Sequence, residues 1–408
     1  MQTLQTTCCV VGGGPAGLVL ALLLARAGVD VVALEKHADF LRDFRGDTIH
    51  PSTLDVIGDL GLLDAFLKLP HQRAETLSGV VEGETFPIAD FRHLPTRCRF
   101  IALMPQWDFL DFIADEAARY RSFRLLRRAN ARGLIEEGGR IVGVRAETPD
   151  GDIEVRAKLV VGADGRRSTI REAAGLEIET IGAPIDVMWF RLSRRPTDED
   201  ATAGRFSAGS VFVTINRGDY WQCAFVIPKG GADAVRAAGL PAFREKIAGL
   251  APFAPDRVHE LATWDDVSLL SVAVDRLKRW HRPGLLCIGD AAHAMSPIGG
   301  VGVNLAIQDA VATANLLAAP LREGRLEEAD LARVQARRMP PTRLTQALQV
   351  IVQNRVISST LASGGPISPP LALRLFRRFP LLRRLPARVV GVGFRPERVR
   401  SEPFSRPG

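Results

Sequence analysis

Hydrophobic positions in this chain fall into three textures. The first pairs short apolar runs with apolar helical stretches. Cys8-Cys9-Val10-Val11 leads into glycines at 12, 14 and 17, then into residues 18–25, which are apolar throughout. Gly28 ends that stretch before a second run at 31–34. Short apolar runs bounded by turn residues predict strands covered on both faces, and the stretch between them predicts a helix, so the segment reads as a βαβ unit. The same texture returns at Leu159-Val160-Val161, which ends at Gly162, and at 284–288, followed by a helix from about 303 to 318. The second texture has period two. Residues 187–192, 211–215 and 220–227 alternate and predict an antiparallel sheet. The third is a helical tail with expected breaks at Pro340-Pro341, 366–370, Pro380 and Pro386.

Smaller elements fill the gaps. A helix is predicted through 54–62, short strands and loops through 71–97, and a strand from Cys98 to Met104. A helix then follows through Leu110, Ile113 and Ala117. Strands at 141–148 and 153–155 are joined by the turn Pro149-Asp150-Gly151. The fold class is α/β. A Rossmann-like nucleotide-binding domain is assembled from 1–70, 98–175 and 271–345. An antiparallel-sheet substrate domain comes from 71–97 and 176–270, and a helical C-terminal region from 346–408.

Composition narrows the class without naming it. A length of 408 residues, 46% hydrophobic and 24% charged, is that of an ordinary globular enzyme. The net charge of +7 rests on scattered arginines, with only six lysines among the 53 basic residues. No nucleic-acid partner is expected, although such a surface attracts anionic small molecules. Five cysteines, an odd number without a CxxC pair, indicate neither a disulfide framework nor a metal site, and a cytoplasmic setting is expected. The first apolar run is strand-like, so no signal peptide is expected. Residues 18–25 are too short to span a bilayer. The Leu/Arg-rich tail from Pro369 reads either as a membrane-surface helix or, as expected here, as a segment whose leucines pack on the protein and leave the arginines in water. A homo-oligomer is compatible with all of this.

Three glycine-rich segments carry the chemistry. Gly12, Gly14 and Gly17 stand between a strand and a helix opened by Pro15 and Ala16. Gly12 permits a tight turn, Gly14 lets backbone approach a pyrophosphate, and Gly17 lets helix and strand pack closely. The helix start supplies N–H donors to phosphate. Glu35, followed by Lys36, lies about 20 residues on, where a carboxylate takes ribose hydroxyls. Asp164-Gly165 follows another predicted strand. Gly289-Asp290-Ala291-Ala292-His293 and Pro297-Ile298-Gly299-Gly300-Val301-Gly302-Val303-Asn304 follow a third. The Asp290 carboxylate would then point into the crevice at the sheet's carboxyl end.

The order GxGxxG, Arg45, Gln106, Asp164-Gly165, GDAAH and PxGGxGxN resembles the single-component flavoprotein aromatic monooxygenases of the para-hydroxybenzoate hydroxylase type. The resemblance covers most of the chain and implies FAD as cofactor, with NADPH or NADH as a transient co-substrate. It implies O2 and a small aromatic molecule, phenolic or polycyclic, as the other reactants, with oxygen transferred through a flavin hydroperoxide. Family roles carried onto matching positions put Asp290 on the ribityl chain, Asp164-Gly165 near the pyrophosphate, Gln106 on the flavin chain and Arg45 on nucleotide phosphate. They put Pro297 beside the flavin carbon that bonds oxygen, and 299–304 against the pyrimidine edge. Arg45 and Pro297 are thus the expected catalytic positions. His293, inside a structural motif, is expected to support rather than catalyse, and His50 is given no role.

Flavin halogenases share this pattern, but their WxWxIP signature is replaced by Cys223-Ala224-Phe225-Val226-Ile227-Pro228. The same motifs would also suit a flavin-dependent reductase or a non-catalytic flavin-bound sensor. The thioredoxin-like extension of phenol-hydroxylase relatives is not expected. Met188, Trp189, Phe190, Phe212, Trp221 and Phe225 are candidates for an aromatic pocket, since alternate residues of the sheet must face it; ordinary sheet packing needs the same residues.

Overall fold

A computed structural model describes residues 2–41, 48–198 and 202–404. Its central sheet is built on five parallel strands: β1 (Gln2–Val11), β2 (Val31–Glu35), β3 (Phe123–Arg127), β4 (Gly151–Gly162) and β5 (Leu285–Cys287), in the order β5-β4-β1-β2-β3. All five end at the same edge. The antiparallel pair Asn130–Glu137 and Arg140–Thr148 extends β4 along its first half, and His281–Arg282 closes the β5 side.

Helix α1 (Pro15–Arg26) is buried from Ala16 to Ala25. It lies between helices α2 (Gln106–Ala118) and α3 (Val301–Arg322), which explains why its sequence is apolar all round. Each of its fully covered leucines contributes about 1.5–3 kcal/mol. Helix α3 is long and apolar enough to cross a membrane, but two thirds of its most apolar window is buried inside the protein, as befits a core helix. All five cysteines are free and buried. Burial pushes the Cys9 thiol up to about 12, so it behaves as a small apolar group.

A second sheet has seven strands, in the order Ser268–Leu270, Ile185–Ser193, Tyr220–Pro228, Ser210–Asn216, Ala203–Ser207, Thr76–Val81 and Glu84–Asp90. It is antiparallel except where Ala203–Ser207 runs beside Thr76–Val81. Three further short strands, Thr48–Ile49, Gln72–Ala74 and Ile101–Leu103, form a small antiparallel sheet.

Several expected boundaries move. The strand foreseen from Cys98 to Met104 shortens to Ile101–Leu103, within that small sheet. The runs 153–155 and 159–161 are one strand, β4. Its middle reads as polar because Arg156 points outward, donating to Glu137 at 2.6 Å. The expected break at Pro340-Pro341 does not occur, and α4 (Glu328–Val352) runs through both prolines. Two backbone donors are lost there, and a residue distant in sequence makes up for one of them. The Arg337 carbonyl, which Pro341 cannot serve, accepts from the Arg395 guanidinium at 3.5 Å. Pro386 sits in the first turn of α6 (Arg384–Gly391), where a missing N–H costs little; α5 (Leu371–Arg378) precedes it.

The two long helices are locked to the central sheet by one buried carboxylate. Asp309 of α3 is fully buried and accepts from the Gly289 N–H at 3.1 Å, His293 Nε2 at 2.6 Å and Arg338 Nε of α4 at 2.9 Å. Arg338 also donates to the Arg395 carbonyl at 2.9 Å and approaches Glu397 at 3.4 Å. Burial alone would raise the Asp309 carboxyl. His293 and Arg338 more than offset it and hold the group below the usual carboxylate range. Its contribution to stability is therefore in place above about pH 4 and is lost as pH falls through the depressed folded-state value. Asp309→Ala removes the main acceptor of the buried Arg338 cation and leaves it only the more distant Glu397 carboxylate. The expected loss is about 3–5 kcal/mol in urea unfolding at neutral pH, and an unchanged midpoint would show that the cluster carries no such weight.

Candidate functional site

The three glycine-rich segments meet at the carboxyl edge of the central sheet. The Ala163 N–H donates to the Val11 carbonyl at 2.8 Å, and the Ile288 N–H to the Gly162 carbonyl at 3.0 Å. Contact is close enough to dictate glycine. A Cβ at Gly12, where φ is +112°, would lie 2.3 Å from the Ala163 carbonyl oxygen. One at Gly17 would lie 1.9 Å from the Gly12 oxygen, so strand and helix do pack on that residue. Gly14 is different: no protein atom lies within 4 Å of a Cβ built there. The same holds for Gly165, while Gly302 meets only the Met295 Cβ at 3.5 Å. Glycine is thus required by close contacts at 12 and 17 and by a φ of +88° at 165, while open space surrounds both 14 and 165.

The charged candidates gather around this opening. Glu35, at the end of β2, is buried and accepts from the Gly13 N–H at 3.0 Å and the His37 N–H at 2.9 Å. Lys36 follows it and is exposed. Pro15 and Ala16 open α1, and Gln106 is the buried first residue of α2. Asp164 serves its own loop, accepting from the Ser168 hydroxyl at 2.5 Å and the Ile170 N–H at 3.2 Å, while burial raises its pKa. Asp290 is only partly covered and lies 3.4 Å from the Arg166 guanidinium. Arg171 is buried, donating to the Arg166 carbonyl at 2.7 Å and lying 3.6 Å from Asp275. Of the family's arginines, Arg45 lies outside the described residues.

The segment after GDAAH forms a cradle held from behind. Pro297 caps a short turn in which Gly299 and Gly300 take φ of +75° and +62°, and α3 begins at Val301, with Val303 in its first turn. A Cβ on Gly300 would lie 2.3 Å from the Thr48 hydroxyl, which donates to the Gly300 carbonyl at 3.1 Å. Asn304 uses both ends of its amide on protein. It donates to the carbonyls of Thr48 at 3.1 Å and Gly300 at 3.3 Å, and it accepts from the His50 N–H at 2.9 Å and the Thr53 hydroxyl at 2.7 Å. Its side chain is a clamp on 48–53. The motif alone puts Asn304 among the residues that face a ligand and leaves His50 without a role. His50 is fully buried and shares its Nδ1 proton with the Val390 carbonyl of α6 at 2.7 Å.

The second sheet corrects the expected aromatic pocket by simple alternation. Met188, Phe212 and Phe225 are cross-strand neighbours on one face, with Phe190 and Trp221 beside them. That face is covered by Phe243, Ile247 and Phe253, with Trp221 stacked on Phe253 at 4.8 Å. Only Trp189 of the six candidates lies on the other face, with Val187, Val211, Ala224 and Val226, and this face packs against Ile298 of the cradle. Ordinary sheet packing accounts for the remaining five.

Residues that the motifs do not reveal are Thr48, Thr53, Asp309 and Arg338. Two leave a legible trace: Asp309 is an acid within an apolar helical run, and Arg338 stands two residues before a helix-breaking pair. His50 also predicts a pH effect. Burial lowers its pKa to about 4, so the folded protein holds it neutral while the unfolded chain binds a proton near 6.5. Its contribution is complete above about pH 6.5 and declines as pH falls toward about 4, by about 3 kcal/mol in all. His50→Phe should flatten the stability profile across that window in chemical denaturation; a slope identical to the parent's would remove His50 from the account.

Comparison with known proteins agrees with this geometry. Residues 5–346 match the family described as FAD binding domain. The 6-methylpretetramide 4-monooxygenase of Streptomyces rimosus is 35% identical over 402 residues, which covers 98% of this chain and 95% of that protein. The rifampicin monooxygenase of Streptomyces venezuelae is 30% identical over 309 residues, 74% of this chain and 61% of its own. Among solved structures, the p-nitrophenol 4-monooxygenase PnpA of Pseudomonas putida superposes with a TM-score of 0.78 at 22% identity, covering 95% of this chain and 97% of that one. A nucleotide cradle closed by three glycine segments, and a family match that spans all three, make the chain a member of the FAD binding domain family of FAD-dependent monooxygenases.

Proposed function

We propose that the protein uses NADPH or NADH and O2 to insert one oxygen atom into a phenolic or polycyclic aromatic small molecule. The observation that carries this reading is the open backbone at Gly14 and Gly165, beside Glu35 and Asp290, facing the same edge as the 297–304 cradle. These residues fit FAD. The N-terminus of α1, whose first helical bond is Leu18 to the Gly14 carbonyl, has donors to spare for the pyrophosphate. Glu35 would take ribose hydroxyls and Asp290 the ribityl chain, with Gln106 beside it. Bound FAD would supply the route by which a hydride from the nicotinamide and one proton from solvent reduce O2, so that one oxygen enters the substrate and the other leaves as water.

The chain's own residues position and shield. The start of α3 presents its positive end where the flavin ring would gain negative charge. Thr48 and Asn304 hold the Gly300 carbonyl, so the cradle does not collapse onto the ring position. Pro297 would stand at the oxygen-reactive face, with Arg45 at the junction of flavin and nicotinamide. The segments 1–70, 98–175 and 271–345 would carry the nucleotide, 71–97 and 176–270 would cover the substrate, and the helical region 346–408 would buttress both. On the covering sheet, the Trp189 face is the side we assign to the aromatic guest, in a setting that excludes water. Among the relatives, p-nitrophenol 4-monooxygenase is named for a phenol.

Three measurements test the reading. Gly14→Val has nothing to collide with inside the protein, so solubility and melting of the apoprotein should hold while FAD retention is lost. A variant that stays yellow places the pyrophosphate elsewhere. Trp189→Ala should raise KM for an aromatic substrate at least several-fold with little loss of stability. Phe225→Ala should instead destabilise by about 3–5 kcal/mol and leave KM alone. The reverse pattern would return the substrate to the other face. With a substrate found by screening, the product should be heavier by one oxygen drawn from 18O2. Label from water only, or a saturated product, would overturn the monooxygenase reading.

A further inference from the structure

From residue 331 to 396 the chain contains no acidic side chain. Within that stretch, α5, the turn Pro380–Arg383 and α6 form a short helical strap lying along the outer strand Glu84–Asp90 of the second sheet. Its inner attachments are few. Ala387 is fully buried, and Val390 and Val392 pack with Phe91 and Leu94. The outer side reverses the expectation that the tail's leucines pack on the protein. Leu371 is 71% exposed, Leu381 67%, Leu385 63% and Phe379 52%, and no residue of α5 is buried. Interleaved with them are six arginines, at 374, 377, 378, 383, 384 and 388. Arg377 is occupied by Glu84, and Arg383 by the Phe376 carbonyl at 2.8 Å. The other four make no salt bridge among the described residues.

We propose that this face docks on a bilayer containing anionic phospholipid. Isolated exposed leucines need no explanation, but four large apolar side chains on one short strap, without a carboxylate among them, do. Leucine and phenylalanine at the level of the headgroup–acyl boundary, with arginines reaching up to phosphates, satisfy both sets at once. A helix of eight residues cannot span a bilayer and lies in its surface. Charge argues against a second copy of the chain as the occupant. A two-fold contact sets each patch against itself and would press arginines on arginines. The strap also adjoins the candidate site, because the Val390 carbonyl that ends α6 bonds His50, which in turn is held by Asn304.

Vesicle flotation of the FAD-loaded protein tests the assignment. Binding is expected to phosphatidylcholine vesicles containing phosphatidylglycerol, not to phosphatidylcholine alone, and should weaken as salt rises. Two double variants, Leu381→Asp with Leu385→Asp and Arg374→Ala with Arg378→Ala, should each lower binding, the second by about fivefold per arginine removed. NAD(P)H oxidation without vesicles should stay at the parent's rate in both. Absence of binding to phosphatidylglycerol vesicles, or binding unchanged in both variants, would overturn the proposal. A dimer in light scattering that the leucine variant disperses would overturn it in favour of a second copy, and salt-sensitive capture of an acidic protein without any vesicle binding would overturn it in favour of that partner.

Discussion

The Asp309 carboxylate is the constraint on which the rest of the structure depends. It is fully buried, so its charge must be met inside the protein, and three donors from two other elements meet it. Gly289 and His293 belong to the turn that follows β5, Asp309 to α3 and Arg338 to α4. One desolvated anion thereby sets where the turn carrying Asp290 lies relative to both long helices. Such a cluster is weak as a source of net stability but costly to break, because any missing partner leaves a buried charge. That asymmetry gives the site one geometry rather than several.

A neutral version of the same logic fixes the cradle. Asn304 spends its whole amide on Thr48, His50, Thr53 and Gly300, tying the start of α3 to the segment that enters the helix Pro51–Asp59. His50 passes the link to α6 through the Val390 carbonyl. The glycines of 299–302 are therefore not loose. Gly300 is pinned against Thr48, and its left-handed backbone is maintained by neighbours. Open backbone for a ligand is found instead at Gly14 and Gly165, where a side chain would meet only space.

Much of the site was legible because its signals are local. A glycine that must turn at φ of +112° beside a neighbouring loop, a proline at the first position of a helix and an acid at the end of a strand each answer to a few adjacent residues. Their meeting follows from parallel strands sharing one carboxyl edge. Long-range compensation is what local reading could not foresee. Pro340-Pro341 ought to end a helix, and does not; the Arg337 carbonyl that Pro341 leaves unserved is met by Arg395, 58 residues along the chain. His50 likewise looks unremarkable until its partner at Val390 is in place, and the position of Arg338 before the prolines acquires its meaning only with Asp309.

The division is clearest on the second sheet. Alternation along 187–192, 211–215 and 220–227 determined by itself that these are strands with two distinct faces, since a pleated strand sends successive side chains to opposite sides. It could not determine which face looks at the cradle, because both are apolar. Only the packed structure decided that. Helices at Ala232–Ala237 and Leu240–Ala248 take the Phe190, Phe212 and Phe225 side, leaving Trp189 toward Ile298. The chain alone thus determined the nucleotide cradle, where each role belongs to one residue type at one spacing. Which of two equivalent apolar surfaces meets the covering helices and which meets the cradle was decided by tertiary structure, because that choice depends on what else is packed against it.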